Sequence, residues 1–165
     1  MSNWQEKEIQ ARRAIEDQGF TVHDANVLFR AKCPNIDLVV FGRKRAVYVQ
    51  VKSSEKPAKK NGVVIDGSPW TEAQLYQGAP IFNRHADQYE AALVLIVDRA
   101  KDGKTNFYIA PPKDLEGLVR PQGVSYANLP KKDGSRRSIG FRKELTREDL
   151  APWINAWRLL KAFLD

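Results

Sequence analysis

The sequence predicts an α/β fold in which a central mixed sheet of four or five strands is flanked by helices. Residues 36–41 and 46–52 are two strand-like runs joined by a short basic turn. Residues 91–98 form a continuous apolar run, which is typical of a strand that is covered on both faces. Apolar residues recur at helical spacing over residues 3–18 and 147–164. Helices are therefore expected at both ends of the chain, with strands between them.

The first helix is predicted over residues 3–18, with Asn3 or Ser2 as its cap and Gly19 at its end. One face of this helix carries Trp4, Glu8, Ala11 and Ile15. A glutamate in an apolar stripe is rare unless it is paired or binds a metal. Glu8 is therefore a candidate functional residue, and the structural alternative is a pairing with a nearby arginine or a side chain that reaches solvent.

The other elements follow from turn residues and helix-capping signals. Before the central hairpin, strands are expected over 20–23 and 27–29, around a turn at 24–26. After it come a polar basic loop over 53–62, a short strand over 63–65, and a helix that is capped by Thr71 and ends near Gln77. The rest of the chain is expected to form strands over 91–98 and 105–110, a helical turn over 113–119, a loop over 121–135, an edge strand over 138–142 and a last helix capped by Thr146. No repeat or boundary divides the chain, so residues 1–165 are expected to form a single domain.

The hairpin at residues 36–52 places three polar side chains together if its turn is centred on residues 43–44. The expected opposed pairs are then Phe41 with Ala46, Val39 with Tyr48, and Asp37 with Gln50. Lys52 follows one side-chain repeat beyond Gln50, on the same face of the strand. A shift of one residue would turn Asp37 to the opposite face, so the prediction depends on the register.

These residues resemble the signature of the PD-(D/E)xK nuclease superfamily, which has the restriction-endonuclease-like fold with an αβββαβ core. The signature is an Asp on one strand, followed on the next strand by an acidic residue, any residue and Lys. Asp37 and the run Gln50-Val51-Lys52 match it, with Gln50 in place of the acidic residue. This departure is similar to the Gln-x-Lys variant of some members, including a transposition endonuclease subunit. In a second departure, Pro34 does not immediately precede Asp37.

The first helix extends the resemblance. In archaeal Holliday-junction resolvases and related nucleases, this helix carries a Glu roughly three turns before a Gly that starts the first strand. Glu8 precedes Gly19 in a similar way. The resemblance therefore covers residues 4–54, with its motif residues in the family's order.

The resemblance implies hydrolysis of phosphodiester bonds with Mg²⁺ or Mn²⁺ as the cofactor. Asp37, the amide oxygen of Gln50 and the backbone carbonyl of Val51 would bind the metal. Glu8 would bind it through water or hold a second ion. Lys52 would orient or activate the attacking water.

The charge of the chain favours a polyanionic partner. Its formal net charge is +7 and its pI is about 9.6, so nucleic acid is the first candidate. DNA is the form expected from the nuclease resemblance, and the sequence itself leaves DNA and RNA open. The expected nucleic-acid-binding residues lie in and beside the basic loops: Arg43, Lys44, Arg45, Ser53, Lys56, Lys59 and Lys60. Two alternatives stay open, namely a catalytically inactive nucleic-acid-binding module on the same fold and a protein-interaction domain with basic loops.

Composition excludes several other classes. Cys33 is the single cysteine, so the chain has no internal disulfide and no cysteine-based zinc site. No run of about 18 apolar residues is present, and the expected location is the cytoplasm without membrane contact. A homodimer and a larger complex are both compatible with the sequence.

Overall fold

A computed structural model of the chain describes residues 3–53, 62–67, 70–84, 89–99, 102–135, 137 and 141–165. The helices are α1 (Asn3–Glu16), α2 (Ala25–Phe29), α3 (Glu72–Tyr76), α4 (Pro112–Ala127), α5 (Arg147–Leu150) and α6 (Trp157–Leu164). The strands are β1 (Thr21–Asp24), β2 (Leu38–Phe41), β3 (Ala46–Ser53), β4 (Gly62–Gly67), β5 (Leu93–Arg99), β6 (Thr105–Ala110) and β7 (Phe141–Thr146). No described helix is long and apolar enough to cross a membrane.

The described strands form a central mixed sheet of five, in the order β1-β2-β3-β5-β6. β3 and β5 are parallel, whereas the other neighbours are antiparallel. The chain order α1, β1, β2, β3, α3, β5 follows the predicted αβββαβ pattern, with α2 and β4 as additions. β4 and β7 pair with each other in a separate two-stranded antiparallel sheet. The predicted fold class is therefore confirmed.

Helices cover both faces of the central sheet. On one face, the apolar side of α1 and α6 packs on the strands through Ala11, Ile15, Leu160, Leu164, Leu38, Val49, Leu93 and Leu95. On the other face, α3 and α4 pack on β5 and β6 through Leu75, Leu115, Val119, Val94, Ile96 and Tyr108. β5 is consequently buried from Leu93 to Asp98, as its continuous apolar run predicts.

The register of the central hairpin agrees with the prediction. Val39 pairs with Tyr48 and Phe41 with Ala46, and the turn closes through a 2.9 Å hydrogen bond from the Gly42 N–H to the Arg45 carbonyl. The turn packs so closely against Leu164 at the end of α6 that a Cβ at position 42 would overlap it.

The predicted strand at residues 27–29 is wrong, because this segment belongs to helix α2. Asp24 caps the helix by accepting a 3.0 Å hydrogen bond from the Val27 N–H, and Arg30 ends it with a left-handed backbone at φ 51°. An aspartate three residues before a hydrogen-bonded N–H is a helix-capping arrangement, and it prevails over the strand propensity of the apolar run.

The predicted loop at residues 121–135 is also wrong over its first part, because α4 continues through Pro121 to Ala127. Pro121 is exposed, and its ring faces the carbonyl of Gly117, which is exposed as well. The buried Gly123 packs directly on the Trp70 ring. Core contacts on one side of the helix therefore offset the backbone hydrogen bond that proline cannot donate.

The last helix is not continuous as predicted. α5 ends at Leu150, a short 3₁₀ turn follows over Ala151–Trp153, and α6 begins only at Trp157. Between them, Ile154 forms a bridge with Tyr108, and the Asn155 N–H donates a 2.7 Å hydrogen bond to the Phe107 carbonyl. The segment thus pairs with the edge of β6, which the apolar periodicity alone does not reveal.

Two other expectations on the loops differ in their bounds. The predicted edge strand at 138–142 corresponds to β7, which begins at Phe141, and residues 138–140 lie outside the described residues. Most of the predicted basic loop at 53–62 lies outside them too.

Candidate active site

Asp37 lies immediately before β2, and its side chain is fixed against β3. The Asp37 N–H donates a 3.0 Å hydrogen bond to the Val49 carbonyl, and its carboxylate Oδ2 accepts a 2.6 Å hydrogen bond from the Val51 N–H. Leu38 pairs with Val49, so one further residue of the same register brings Asp37 opposite Gln50. Oδ1 of Asp37 accepts no hydrogen bond from the described residues.

Burial and charge act on Asp37 and Lys52 together. Burial raises the pKa of Asp37, while the Val51 N–H and the Lys52 charge lower it and Asp24 raises it. Burial lowers the pKa of Lys52. The charge of Asp37 raises this pKa, and the charge of Arg84 lowers it further. No salt bridge within 4 Å joins Lys52 to a carboxylate among the described residues. Within the described residues, the attraction between the Lys52 ammonium group and Asp37 therefore acts over more than 4 Å.

Gln50 is buried on β3, and only one end of its side-chain amide is satisfied. Nε2 donates a 3.3 Å hydrogen bond to the Phe82 carbonyl. Oε1 is buried and has no partner among the described residues. Because a carbonyl can only accept, the Phe82 contact fixes the amide orientation and leaves Oε1 as the unpartnered atom.

The segment that meets Gln50 is itself held by buried polar side chains. Glu116 on α4 accepts hydrogen bonds from the N–H groups of Ile81 and Phe82, at 2.8 and 3.2 Å. Gln74 on α3 donates one of 2.9 Å to the Pro80 carbonyl. The position of the Phe82 carbonyl, and hence of Gln50, therefore depends on two helices of this face.

Glu8 and Asp24 lie in a recess of about 320 Å³ that also reaches Asp37. The pKa of Glu8 is raised to about 7, first by burial, then by its side-chain hydrogen bond to Asp24 and by the charges of Asp37 and Asp24. A hydrogen bond between two carboxyl groups requires one proton between them. Trp4 and Arg12 line the same recess from α1.

Asp24 and Arg84 are residues that the sequence interpretation missed. The sequence signals Asp24 only as part of a turn, although it ends β1 and caps α2 beside Glu8. Arg84 has no local signal at all. The Arg84 Nε donates a 3.0 Å hydrogen bond to the Ile81 carbonyl, and the charge of Arg84 lowers the pKa of Lys52.

The expected nucleic-acid-binding residues that the structure describes lie at the two ends of β3. The three cations Arg43–Arg45 are exposed at the hairpin turn, whereas Lys52 is six residues along β3 from Ala46, or roughly 20 Å at about 3.3 Å per residue. Ser53 ends β3 directly beside Lys52. Lys56, Lys59 and Lys60 lie outside the described residues.

Within the described ranges, no three His, Cys, Asp or Glu side chains are close enough together to hold a metal ion. From the described residues, a metal bound at Asp37 would therefore take amide or backbone oxygens as further ligands. The unpartnered Oε1 of Gln50 is such an oxygen on the adjacent strand.

Comparison with known proteins adds one finding. No family model and no curated protein matches the sequence. Among solved structures, the chain is similar to the bacterial homing endonuclease I-Ssp6803I, with a TM-score of 0.52 and 19% sequence identity. The match covers 99% of this chain and 94% of that chain. A likeness at this identity shows the fold, so the chain has an α/β fold of a kind that a nuclease uses.

Proposed function

We propose that the chain is a divalent-metal-dependent endonuclease of the PD-(D/E)xK type, in its Gln-x-Lys variant, with DNA as the expected substrate. The observation that carries the proposal is the pair of oxygens on adjacent strands. Asp37 has one carboxylate oxygen engaged by Val51 and one without a hydrogen bond from the described residues. Gln50 has a buried oxygen without a partner. Leaving a buried amide oxygen unsatisfied costs about 1–3 kcal/mol, which a ligand would offset.

The donor set fits a hard divalent cation. Asp37, Oε1 of Gln50 and the backbone carbonyl of Val51 would hold Mg²⁺ or Mn²⁺, since both ions prefer oxygen ligands. Glu8 would reach the ion through water or hold a second one. When bound, the metal would supply positive charge at the phosphorus and lower the pKa of a water molecule.

Lys52 would orient the attacking water and stabilise the charge that develops on the phosphate. It makes no salt bridge with the described residues, so its ammonium donors are available to a substrate. Its pKa is lowered by burial, which reduces the energy needed to shed a proton. Arg84 carries a second positive charge near it and would contact the same phosphate.

Binding of the nucleic acid would use positive charge on two sides of the site. Arg43, Lys44 and Arg45 at the hairpin turn, and Ser53 with Lys56, Lys59 and Lys60 after β3, would contact phosphates without reading bases. A separation of roughly 20 Å along β3 would let Arg43–Arg45 and Ser53 contact different phosphates of one duplex.

A second candidate is a catalytically inactive nucleic-acid-binding module on the same fold. It is favoured by the hydrogen bond from Gln50 to Phe82, which gives Gln50 a structural role that needs no metal. The two candidates share their affinity for nucleic acid and differ in cleavage.

A cleavage assay separates them. Duplex, branched and single-stranded DNA and an RNA are incubated with Mg²⁺, Mn²⁺ or EDTA, using the wild type, Asp37→Asn and Asp102→Asn. Asp102 is the matched control, because its exposed carboxylate accepts one backbone N–H, that of Lys104, at 3.0 Å. We expect metal-dependent cleavage by the wild type and by Asp102→Asn, and none by Asp37→Asn. Binding without cleavage in every metal condition would favour the inactive module.

A further inference from the structure

A second recess, of about 530 Å³, lies away from Asp37 between α3 and the C-terminal end of α4. Its size falls within the roughly 300–1,000 Å³ of small-ligand pockets. The residues that line it include an aromatic ring, two amides and a guanidinium group, which belong to Tyr76, Gln77, Asn128 and Arg137. None of these side chains has a role in the proposed cleavage.

Tyr76 presents its ring to solvent in this recess. The residue is 55% exposed, and its hydroxyl donates a 3.2 Å hydrogen bond to Oδ1 of Asn128. The hydrogen bond fixes the ring while leaving its face open. An ordered, exposed aromatic ring is a stacking surface for a nucleobase, because every base has a π-face.

Arg137 is oriented by two contacts that leave the ends of its guanidinium group available. The group lies 5.2 Å from the centre of the Tyr126 ring, and its Nε donates a 3.1 Å hydrogen bond to the Leu129 carbonyl. Its terminal nitrogens make no hydrogen bond with the described residues. Arg137 is therefore held flat and can bind a phosphate in the forked geometry that arginine favours.

The local charges set the direction in which a nucleotide would lie. Lys131 and Lys132 are exposed on the turn that closes the recess, where the Gly134 N–H donates to the Lys131 carbonyl at 2.9 Å. Glu72 lines the recess near Tyr76 and carries a negative charge that disfavours a phosphate there. A phosphate is thus favoured beside Arg137 and the turn, and a neutral base beside Tyr76.

We infer that this recess binds one unpaired nucleotide of a single-stranded nucleic-acid segment, with its base on the Tyr76 ring and its phosphate at Arg137. The inference rests on the proposed function only for the class of ligand. It adds a single-strand-binding site to the proposed cleavage site at Asp37 and β3.

The test measures binding in EDTA, so that no cleavage occurs, with a labelled oligothymidine of about 20 nucleotides and a duplex of the same length. Tyr76→Ala is expected to weaken single-strand affinity roughly 5- to 100-fold, and Tyr76→Phe to retain it, because the ring remains. Arg137→Ala should lower the salt slope for the single strand by roughly 0.7. Lys161→Ala is the matched control, since Lys161 is an exposed cation on α6, across the sheet.

Thermal unfolding confirms that the variants are folded, which the exposure of Tyr76 leads us to expect. Single-strand affinity of Tyr76→Ala equal to that of the wild type would overturn the inference, as would equal losses in Tyr76→Ala and Tyr76→Phe. If the wild type cleaves DNA but its affinity for the single strand does not depend on Tyr76, only the inference about this recess is contradicted. If single-strand affinity depends on Tyr76 but the wild type cleaves no substrate, only the proposed endonuclease activity is contradicted.

Discussion

Gln50 and Phe82 are joined by a hydrogen bond that explains why an amide, and not a carboxylate, stands at this position. The Phe82 carbonyl accepts from Nε2 of Gln50 at 3.3 Å, and a carboxylate has no proton to offer there. A glutamine can hold the segment before Arg84 with one end of its amide and a metal ion with the other. Under the proposed PD-(D/E)xK assignment, this hydrogen bond gives the departure from the usual acidic residue a structural cause.

The change Gln50→Glu tests this double role. Without metal, the introduced carboxylate lies against the Phe82 carbonyl, so we expect a loss of about 1–3 kcal/mol in the free energy of unfolding. With Mg²⁺ the loss should shrink, because the carboxylate is a stronger ligand than the amide. Urea denaturation in EDTA and in Mg²⁺ measures both.

Gln74→Glu is the control for this measurement. Gln74 is buried as well and donates a comparable hydrogen bond, of 2.9 Å, to the Pro80 carbonyl. Gln74→Glu should lower the free energy of unfolding to a similar degree, and Mg²⁺ should not restore the lost stability. Recovery by Mg²⁺ in both variants, or in neither, would contradict the proposed role of Gln50.

Lys52→Met separates catalysis from stability. Lys52 has a partly buried charge and no direct salt bridge with the described residues, so its removal should leave the free energy of unfolding unchanged or raise it by about 1 kcal/mol. Cleavage should be lost, because no ammonium remains to orient the water. A large loss of stability would instead mean that Lys52 is a structural partner of Asp37.

Glu8 predicts a pH dependence of stability. Its pKa is about 7 in the folded chain, against an ordinary value of 4.5. Between these pH values the unfolded chain releases a proton that the folded chain keeps, so stability falls as the pH rises through this window and stays lower above it. Glu8→Gln cannot ionise and should abolish the decline.

The full shift in the pKa of Glu8 would correspond to about 3 kcal/mol of unfolding free energy. Because Glu8 is half-exposed and solvent screens its charge, we expect Glu8→Gln to be roughly 1–2 kcal/mol more stable than the wild type at about pH 8. At about pH 4 the two should be equal. Denaturation in EDTA across this range measures it. Glu6→Gln, at an exposed position of α1, should follow the wild type at each pH.

Two glycines of α4 test the packing that carries this helix past Pro121. A Cβ at Gly123 would overlap the Trp70 ring, whereas a Cβ at Gly117 would meet nothing within 4 Å. Gly123→Ala should therefore cost about 1–3 kcal/mol of stability, and Gly117→Ala should add about 0.4–1 kcal/mol. Thermal unfolding of both variants measures these changes in stability. Equal changes in the two variants would contradict the described packing of Gly123 on Trp70.

Local patterns predict the parts of this fold that depend on local rules. The even turn at residues 43–44 and the alternation along β3 predict the pairing of Val39 with Tyr48, which is confirmed. The sequence Thr71-Glu-Ala-Gln74 predicts the capping box of α3, in which the Thr71 side chain accepts from the Gln74 N–H and the Gln74 side chain from the Thr71 N–H. In both cases the residues that determine the local structure are close together in the sequence.

Features that depend on distant contacts are not predictable in this way. The packing of Gly123 on Trp70 prolongs α4 through a proline, and the pairing of Ile154 with Tyr108 interrupts the last helix. The approach of Arg84 to Lys52 likewise depends on the hydrogen bonds of Glu116 and Gln74 across the core. These contacts arise only when the elements pack together.

Binding of Mn²⁺ to the purified chain tests most directly whether Asp37 is a metal ligand. The measurement is a titration followed by electron paramagnetic resonance, with the wild type, Asp37→Asn and Asp102→Asn. In Asp37→Asn the amide oxygen can still accept from the Val51 N–H, so the fold should persist while the affinity for Mn²⁺ falls about 10-fold or more. Asp102→Asn should bind Mn²⁺ as the wild type does. Equal affinity of folded wild type and Asp37→Asn would contradict the assignment of this site to metal-dependent cleavage.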